Sequence, residues 1–296
     1  MATMNALAPD VPDCTVTPLE QRFGVRIDGI DLETQDDAGT LHFLAELLFA
    51  HKVVVLAGQR LDEARFVRFG YRWGQPIRFF KDDHRGIAHP ELIRVSNATS
   101  VPMEHRDGAV QWHNDSSYDE VPASITMLYC LQAPEHGGDT LFADIVAAWD
   151  ALPETLRTRL AGASAWHTML GAPAIEGEMI EKMTPPPWGC YLHPLAYPHP
   201  IVPGRVALYT SATARSIDGM DDAEGRKLIR SLRRHSFAPR FQSSYKLRPG
   251  DLILWDNFSV AHSATPIEYS DEPGKTRLLQ RISTKGVPDF LTAATG

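Results

Sequence analysis

Apolar positions along the chain fall into short runs with two different periods. Leu41, Leu44, Leu47 and Leu48 recur at helical spacing and predict a helix over 41–49. Asp62 can cap a second helix that runs to about Tyr71, with Phe66 and Phe69 facing inward. Residues 222–235 predict another, with Leu228, Ile229 and Leu232 inward. Asp144 or a neighbour caps a short helix through Trp149, and 151–154 opens a further helical segment. Strand patterns lie between. Segments 14–19 and 24–32 predict a pair, and 52–56 is a nearly all-apolar, buried strand. Further strands are predicted at 92–96, 123–132, 141–144, 207–210, 241–246, 251–256 and 277–284. Gly137 and Gly138 supply a tight turn before Thr140. Residues 1–13 read as a loose tail. Residues 77–109 outside that strand, and 171–190 with its four prolines, carry no clear period and are expected to be loops or a lid at a site. No repeat, low-complexity tract or linker divides the chain. The expectation is one domain over 1–296, mainly β with added helices, built as a sandwich or jelly roll.

Composition narrows the function classes. The 296 residues are 43% hydrophobic and 22% charged, which is ordinary for a soluble globular protein. Net charge is −8, from 37 acidic and 29 basic residues. A general nucleic-acid binder would need a basic surface to neutralise phosphates, so no nucleic-acid partner is expected. The cysteines, Cys14, Cys130 and Cys190, are far apart and form no Cys-x-x-Cys. That is neither a disulfide framework nor a zinc finger, and it fits a reducing cytoplasm. The opening residues show no signal-peptide pattern, and the longest apolar run is too short for a membrane span.

The candidate chemistry centres on Trp112-His113-Asn114-Asp115. On a strand, positions 113 and 115 leave the same face, so one imidazole and one carboxylate can share an ion. A second histidine would complete the two-His, one-carboxylate set of non-haem iron sites, and His262, after Trp255-Asp256-Asn257, is the best candidate. The other histidines, including His193 and His199, read as surface, loop or structural residues. Arg277 and Arg281 are separated by an even number and share a strand face. A buried arginine fork grips a carboxylate, or else pairs internally with an acid such as Asp256. Serine-hydrolase elbows, phosphate loops, His-Glu-x-x-His and dinucleotide fingerprints are absent.

Together these segments resemble the taurine dioxygenase family, the Fe(II)- and 2-oxoglutarate-dependent oxygenases that include 2,4-dichlorophenoxyacetate dioxygenase. The resemblance rests on 16–19 and 29–32, on 112–115, on Pro134 with Gly137-Gly138-Asp139-Thr140, on 255–257 with His262, and on Arg277 and Arg281. It departs at Asn114, where Thr or Ser is usual, and in the length of the interval 263–276. It implies a double-stranded β-helix core, the jelly roll. It implies that His113, Asp115 and His262 hold Fe(II), and that Thr140 and Arg277 hold the distal carboxylate of 2-oxoglutarate. Arg281 is then expected near the co-substrate or on an anionic group of the substrate. With O2 the expected reaction yields succinate, CO2 and a hydroxylated small molecule. Phe79, standing where a sulfonate-binding histidine is expected, argues against taurine; Ser116 with Ser117 looks more like the aryloxyacetate branch. Arg78 could add a positive contact. The expected substrate is a small organic anion resembling an aryloxyalkanoate, sulfonate or carboxylate. The alternatives are desaturation, epoxidation or cyclisation at the same iron, or a non-catalytic ligand-sensing jelly roll. Family habit suggests a homodimer or homotetramer.

Overall fold

The computed structural model describes residues 12–20, 22–78, 88–101, 109–168 and 189–292; Phe79 and most of 171–190 lie outside them. In order the elements are β1 (Thr15–Pro18), β2 (Val25–Asp28), α1 (Ala38–His51), β3 (Val53–Leu56), α2 (Glu63–Arg72), β4 (Gln75–Pro76), β5 (Ile93–Ser96), β6 (Ile125–Gln132) and β7 (Thr140–Asp144). Then come α3 (Ile145–Asp150), α4 (Glu154–Leu160), β8 (Ser164–Thr168), β9 (Cys190–Pro194), β10 (Ala196–Pro198), β11 (Val206–Leu208), β12 (Ala214–Ile217) and α5 (Asp222–Ser236). The chain closes with β13 (Gln242–Tyr245), β14 (Leu252–Asp256), β15 (Val260–Ala264), β16 (Leu278–Lys285) and α6 (Asp289–Thr292).

The fold is mainly β with helices. The large sheet runs β1-β2-β3-β14-β6-β16-β4, with β5 also on β16. A second sheet, β13-β7-β15, faces it, and smaller sheets pair β12-β8-β9 and β10-β11. Period-two alternation decides what each face of the large sheet does. Val54, Leu56, Met127, Tyr129, Leu252, Leu254 and Ile282 pack outward against Leu41, Leu44, Leu48, Phe66 and Phe69 of α1 and α2. Val53, Val55, Leu128, Cys130, Ile253, Trp255 and Leu279 point the other way, onto Phe142 of β7. Each such side chain contributes roughly 1.5–3 kcal/mol on burial. The helices start where their caps dictate. Asp37 accepts from Thr40 N, Asp62 from Arg65 N, and Asp144 from Val146 N and Ala147 N.

Two expectations are corrected. His113 and Asp115 do not lie on a strand: His113 makes one antiparallel bridge to His262, and Asp115 sits in the turn that follows. The arginines do not pair with Asp256, which is engaged by His199 Nε2 at 2.8 Å and Arg205 Nη1 at 3.5 Å.

Candidate active site

His262 is buried on β15, an edge strand of the β13-β7-β15 sheet. Its backbone N–H donates to His113 O, and His113 N–H donates back to His262 O, both at 2.9 Å. This reciprocal pair brings the imidazoles together, with ring centroids 4.1 Å apart. Asp115 then swings in between. His113 Nε2 lies 3.9 Å from Asp115 Oδ1, and His262 Nε2 lies 3.9 Å from Asp115 Oδ2. One donor atom from each of the three falls within 4.8 Å of the others. An ion held at about 2.1 Å by each donor sets them roughly 3–4 Å apart, so the cluster suits a single metal ion.

The donors are in the state a cation needs. His113 Nδ1 is 2.7 Å from Gln111 O, which makes Nδ1 the protonated nitrogen and frees the Nε2 lone pair. Burial keeps the His262 imidazole neutral, well below the usual histidine range, with the neighbouring His113 adding to it. Burial alone would raise the Asp115 carboxyl. Arg281, both histidines and the Thr126 hydroxyl outweigh that and hold it well below the usual carboxylate range. Two imidazole nitrogens and one carboxylate on one side is the donor set that suits Fe(II).

A second cradle lies alongside. Arg277 directly precedes β16 and is 8% exposed. Its Nη2 is 3.5 Å from Thr140 Oγ1, and among the described residues no carboxylate forms an ion pair with it. Burial pushes this guanidinium down to about 10. A buried, unneutralised fork beside a hydroxyl is a receptor for a carboxylate. Gly138 makes room for it: at φ +72°, an added Cβ would stand 3.1 Å from Arg277 Cδ. Arg281 alternates with Leu279 and Ser283 along β16, while Arg277 precedes the strand and is separated from Arg281 by a register shift at Leu278/Leu279. Its Nη1 is 3.4 Å from Asp115 Oδ1, while its buried Nε has no partner among the described residues.

The structure thus brings together His113, Asp115 and His262 with Arg281 on Asp115, and it sets Arg277 against Thr140, which pairs with Ala264 two residues along β15 from His262. Ser116 follows directly in the turn, in the left-handed region at φ 53°. Arg78 is largely exposed and lies 3.6 Å from Glu91. Phe79 falls outside the described residues. Sequence reasoning missed Asn97, whose Oδ1 accepts from Arg277 N at 2.6 Å and whose Nδ2 holds the carbonyls of Glu268 and Lys275. It also missed Thr126, whose hydroxyl is 2.6 Å from Asp115 Oδ2. Neither carries a local signal, because each acts on residues distant in sequence.

Comparison with known proteins agrees with this geometry. The family described as "Taurine catabolism dioxygenase TauD, TfdA family" matches residues 15–283. An (S)-phenoxypropionate/alpha-ketoglutarate-dioxygenase of Sphingobium herbicidovorans is 30% identical over 289 residues, covering 95% of this chain and 98% of that protein. An alpha-ketoglutarate-dependent 2,4-dichlorophenoxyacetate dioxygenase of Cupriavidus pinatubonensis is 31% identical over 286 residues, covering 90% and 96%. The crystal structure of a taurine dioxygenase from Burkholderia xenovorans superposes with a TM-score of 0.76 at 26% identity, covering 94% of this chain and 92% of that one. With likeness of that extent in sequence and in fold, the chain belongs to the taurine catabolism dioxygenase family.

Proposed function

We propose that this protein is an Fe(II)- and 2-oxoglutarate-dependent dioxygenase that hydroxylates a C–H bond of a small organic anion. The observation that carries this is the buried Arg277 fork, without a carboxylate partner among the described residues, next to a compact His113–Asp115–His262 cluster. His113, Asp115 and His262 hold the metal. Arg277 and Thr140 take the distal carboxylate of 2-oxoglutarate. When bound, Fe(II) with 2-oxoglutarate and O2 supplies the oxidising power, releasing succinate and CO2. The chain's own groups orient the co-substrate, keep the donors deprotonated and exclude water from the inter-sheet space.

Arg281 offers its free Nε edge to an anionic group of the substrate. Ser116, Arg78 and Phe79 complete the candidate substrate contacts. Relatives named for phenoxypropionate and 2,4-dichlorophenoxyacetate support an aryloxyalkanoate-like substrate. The two facing sheets are read as a double-stranded β-helix (jelly roll) within one catalytic domain over 1–296. No helix among the described residues is long and apolar enough to cross a membrane. We place the enzyme in the cytoplasm as a homodimer or homotetramer.

The test is anaerobic titration with Fe(II) and 2-oxoglutarate, followed by succinate release over a panel of aryloxyalkanoates, sulfonates and amino acids. A weak visible charge-transfer band, shifted by a turned-over compound, is expected. No band and no succinate with any of the panel would sink the proposal.

A further inference from the structure

Trp255-Asp256-Asn257 stands out in the sequence, yet none of its residues enters the metal or co-substrate cradle. The hydrogen bonds show what Asn257 is connected to. Trp255 Nε1 donates to Asn257 Oδ1 at 3.1 Å. An indole N–H can only donate, so this bond fixes which end of the amide is oxygen. Asn257 Nδ2 must then donate to Thr126 Oγ1, at 2.8 Å. Thr126 has a single hydroxyl hydrogen, and Asp115 Oδ2 lies 2.6 Å from its oxygen. A carboxylate is the stronger acceptor, and 2.6 Å is the length of a charge-assisted O–H···O⁻ bond. The nearby Ser283 Oγ is 2.9 Å from Thr126 Oγ1 and 3.3 Å from the same carboxylate oxygen.

The backbone of the same asparagine ties down the other side of the site. Asn257 O accepts from Asn114 Nδ2 at 2.8 Å, and Val260 O accepts from the same amide at 2.9 Å. Asn114 is the residue between the two ligands His113 and Asp115. All these groups are buried.

We infer that Thr126, its hydrogen aimed by the Trp255–Asn257 pair, is a positioning residue that holds Asp115 Oδ2 and so fixes how the carboxylate is presented beside His113 and His262. Thr126 does not touch the metal or the substrate. It acts through Asp115, by fixing the carboxylate's rotation before the ion arrives. The inference rests on the metal site proposed above.

The experiment measures Mn(II) binding by electron paramagnetic resonance, without turnover, on the wild type, Thr126→Val, Thr126→Ser and Ser283→Ala. Thermal melts of the metal-free proteins report folding separately. Valine keeps the shape of threonine and removes only the hydroxyl. Thr126→Val is expected to weaken Mn(II) binding roughly 10–100-fold, as loss of a group that orients a ligand typically does. Thr126→Ser should bind within about threefold of the wild type. Ser283→Ala, which loses the longer contact, should cost less than Thr126→Val. Thr126→Val that melts lower but binds Mn(II) like the wild type would show a purely structural hydroxyl and overturn the inference alone. Thr126→Ser as weak as the valine variant would overturn it too. A wild type that takes up no Mn(II) overturns the proposed metal site, and the inference with it.

Discussion

Replacing Arg277 with methionine should do two opposite things, and their combination is the signature of a carboxylate receptor. In the ligand-free protein this guanidinium is 8% exposed, with Thr140 Oγ1 at 3.5 Å as its side-chain partner among the described residues. Burial moves it from 12.5 to about 10. At about 1.36 kcal/mol per pH unit, the unneutralised cation costs the fold on the order of 3 kcal/mol. Methionine keeps most of the packing and removes that cost, less the lost Thr140 bond. The metal-free Arg277→Met protein should therefore gain about 1–2 kcal/mol and melt a few degrees higher. Co-substrate binding should suffer in the other direction. A fork makes two charge-assisted hydrogen bonds, each contributing about 1.5–3 kcal/mol. Their loss raises the Kd for 2-oxoglutarate roughly 10²–10⁴-fold. Thr140→Val should cost only about fivefold. A metal-free melt measures the first effect, and calorimetric titration of 2-oxoglutarate into the Mn(II)-loaded protein the second. An Arg277→Met protein that is less stable and still binds 2-oxoglutarate within threefold of the wild type would refute the assignment.

Three further outcomes follow from the geometry. Gly138→Ala puts a Cβ 3.1 Å from Arg277 Cδ at φ +72°, so it should displace the fork and weaken 2-oxoglutarate roughly tenfold, read in the same titration. Asp115→Ala should abolish the Fe(II)–2-oxoglutarate charge-transfer band while the protein stays folded by circular dichroism; a retained band would exclude Asp115 as a ligand. The third concerns acid. Burial, then His193 and Arg233, hold the His167 imidazole well below 6.5. Its contribution to stability is complete above pH 6.5 and is lost as pH falls below that, at about 1.4 kcal/mol per unit, until the folded-state value is reached. In urea titrations between about pH 6 and 5, His167→Gln should show a slope shallower by about one proton; equal slopes would refute this.

The legible parts of the chain were those where local pattern and long-range packing agree. Apolar spacing located α1, the all-apolar β3 lies in the sheet centre, and Asp62 and Asp144 cap the helices they precede. His113, Asp115 and His262, singled out in the sequence, do form one cluster with Arg281 against it, although 113–115 is a bridge and turn and not a strand. What failed had polar residues in buried positions. Ser164–Thr168 has no apolar alternation because its His167 and Thr168 are buried among other polar groups, so β8 was missed. The prolines near β9 and β10 mimic a loop, yet Pro194 and Pro198 stand at strand ends, where a missing N–H is tolerated. Thr126 reads as one more β-branched strand residue. Its partners lie 11 and 131 positions away, and only the fold brings them within reach.

Charge bookkeeping at the site decides what kind of substrate fits. Asp115 pairs with Arg281, while Arg277 feels the Asp139 carboxylate but has no ion-pair partner among the described residues. Fe(II) adds two positive charges and 2-oxoglutarate removes two. Counting Arg277, Arg281 and Asp115 with the ion and the co-substrate, and leaving the more distant Asp139 aside, one positive charge is left at a buried site, where an unpaired charge is costly. Arg281 Nε, buried and without a partner among the described residues, is the donor left for a ligand. A singly anionic substrate would neutralise the pocket, and its neutral ester would not. Losing one charge-assisted interaction of about 2–3 kcal/mol should raise KM for the methyl ester roughly 30–150-fold over the acid. Arg281→Gln should narrow that gap by weakening the acid more than the ester. Steady-state succinate release with a turned-over acid and its methyl ester makes the comparison. Equal KM values for acid and ester would mean that the substrate's charge is read elsewhere, and that Arg281 serves only to hold Asp115 ionised.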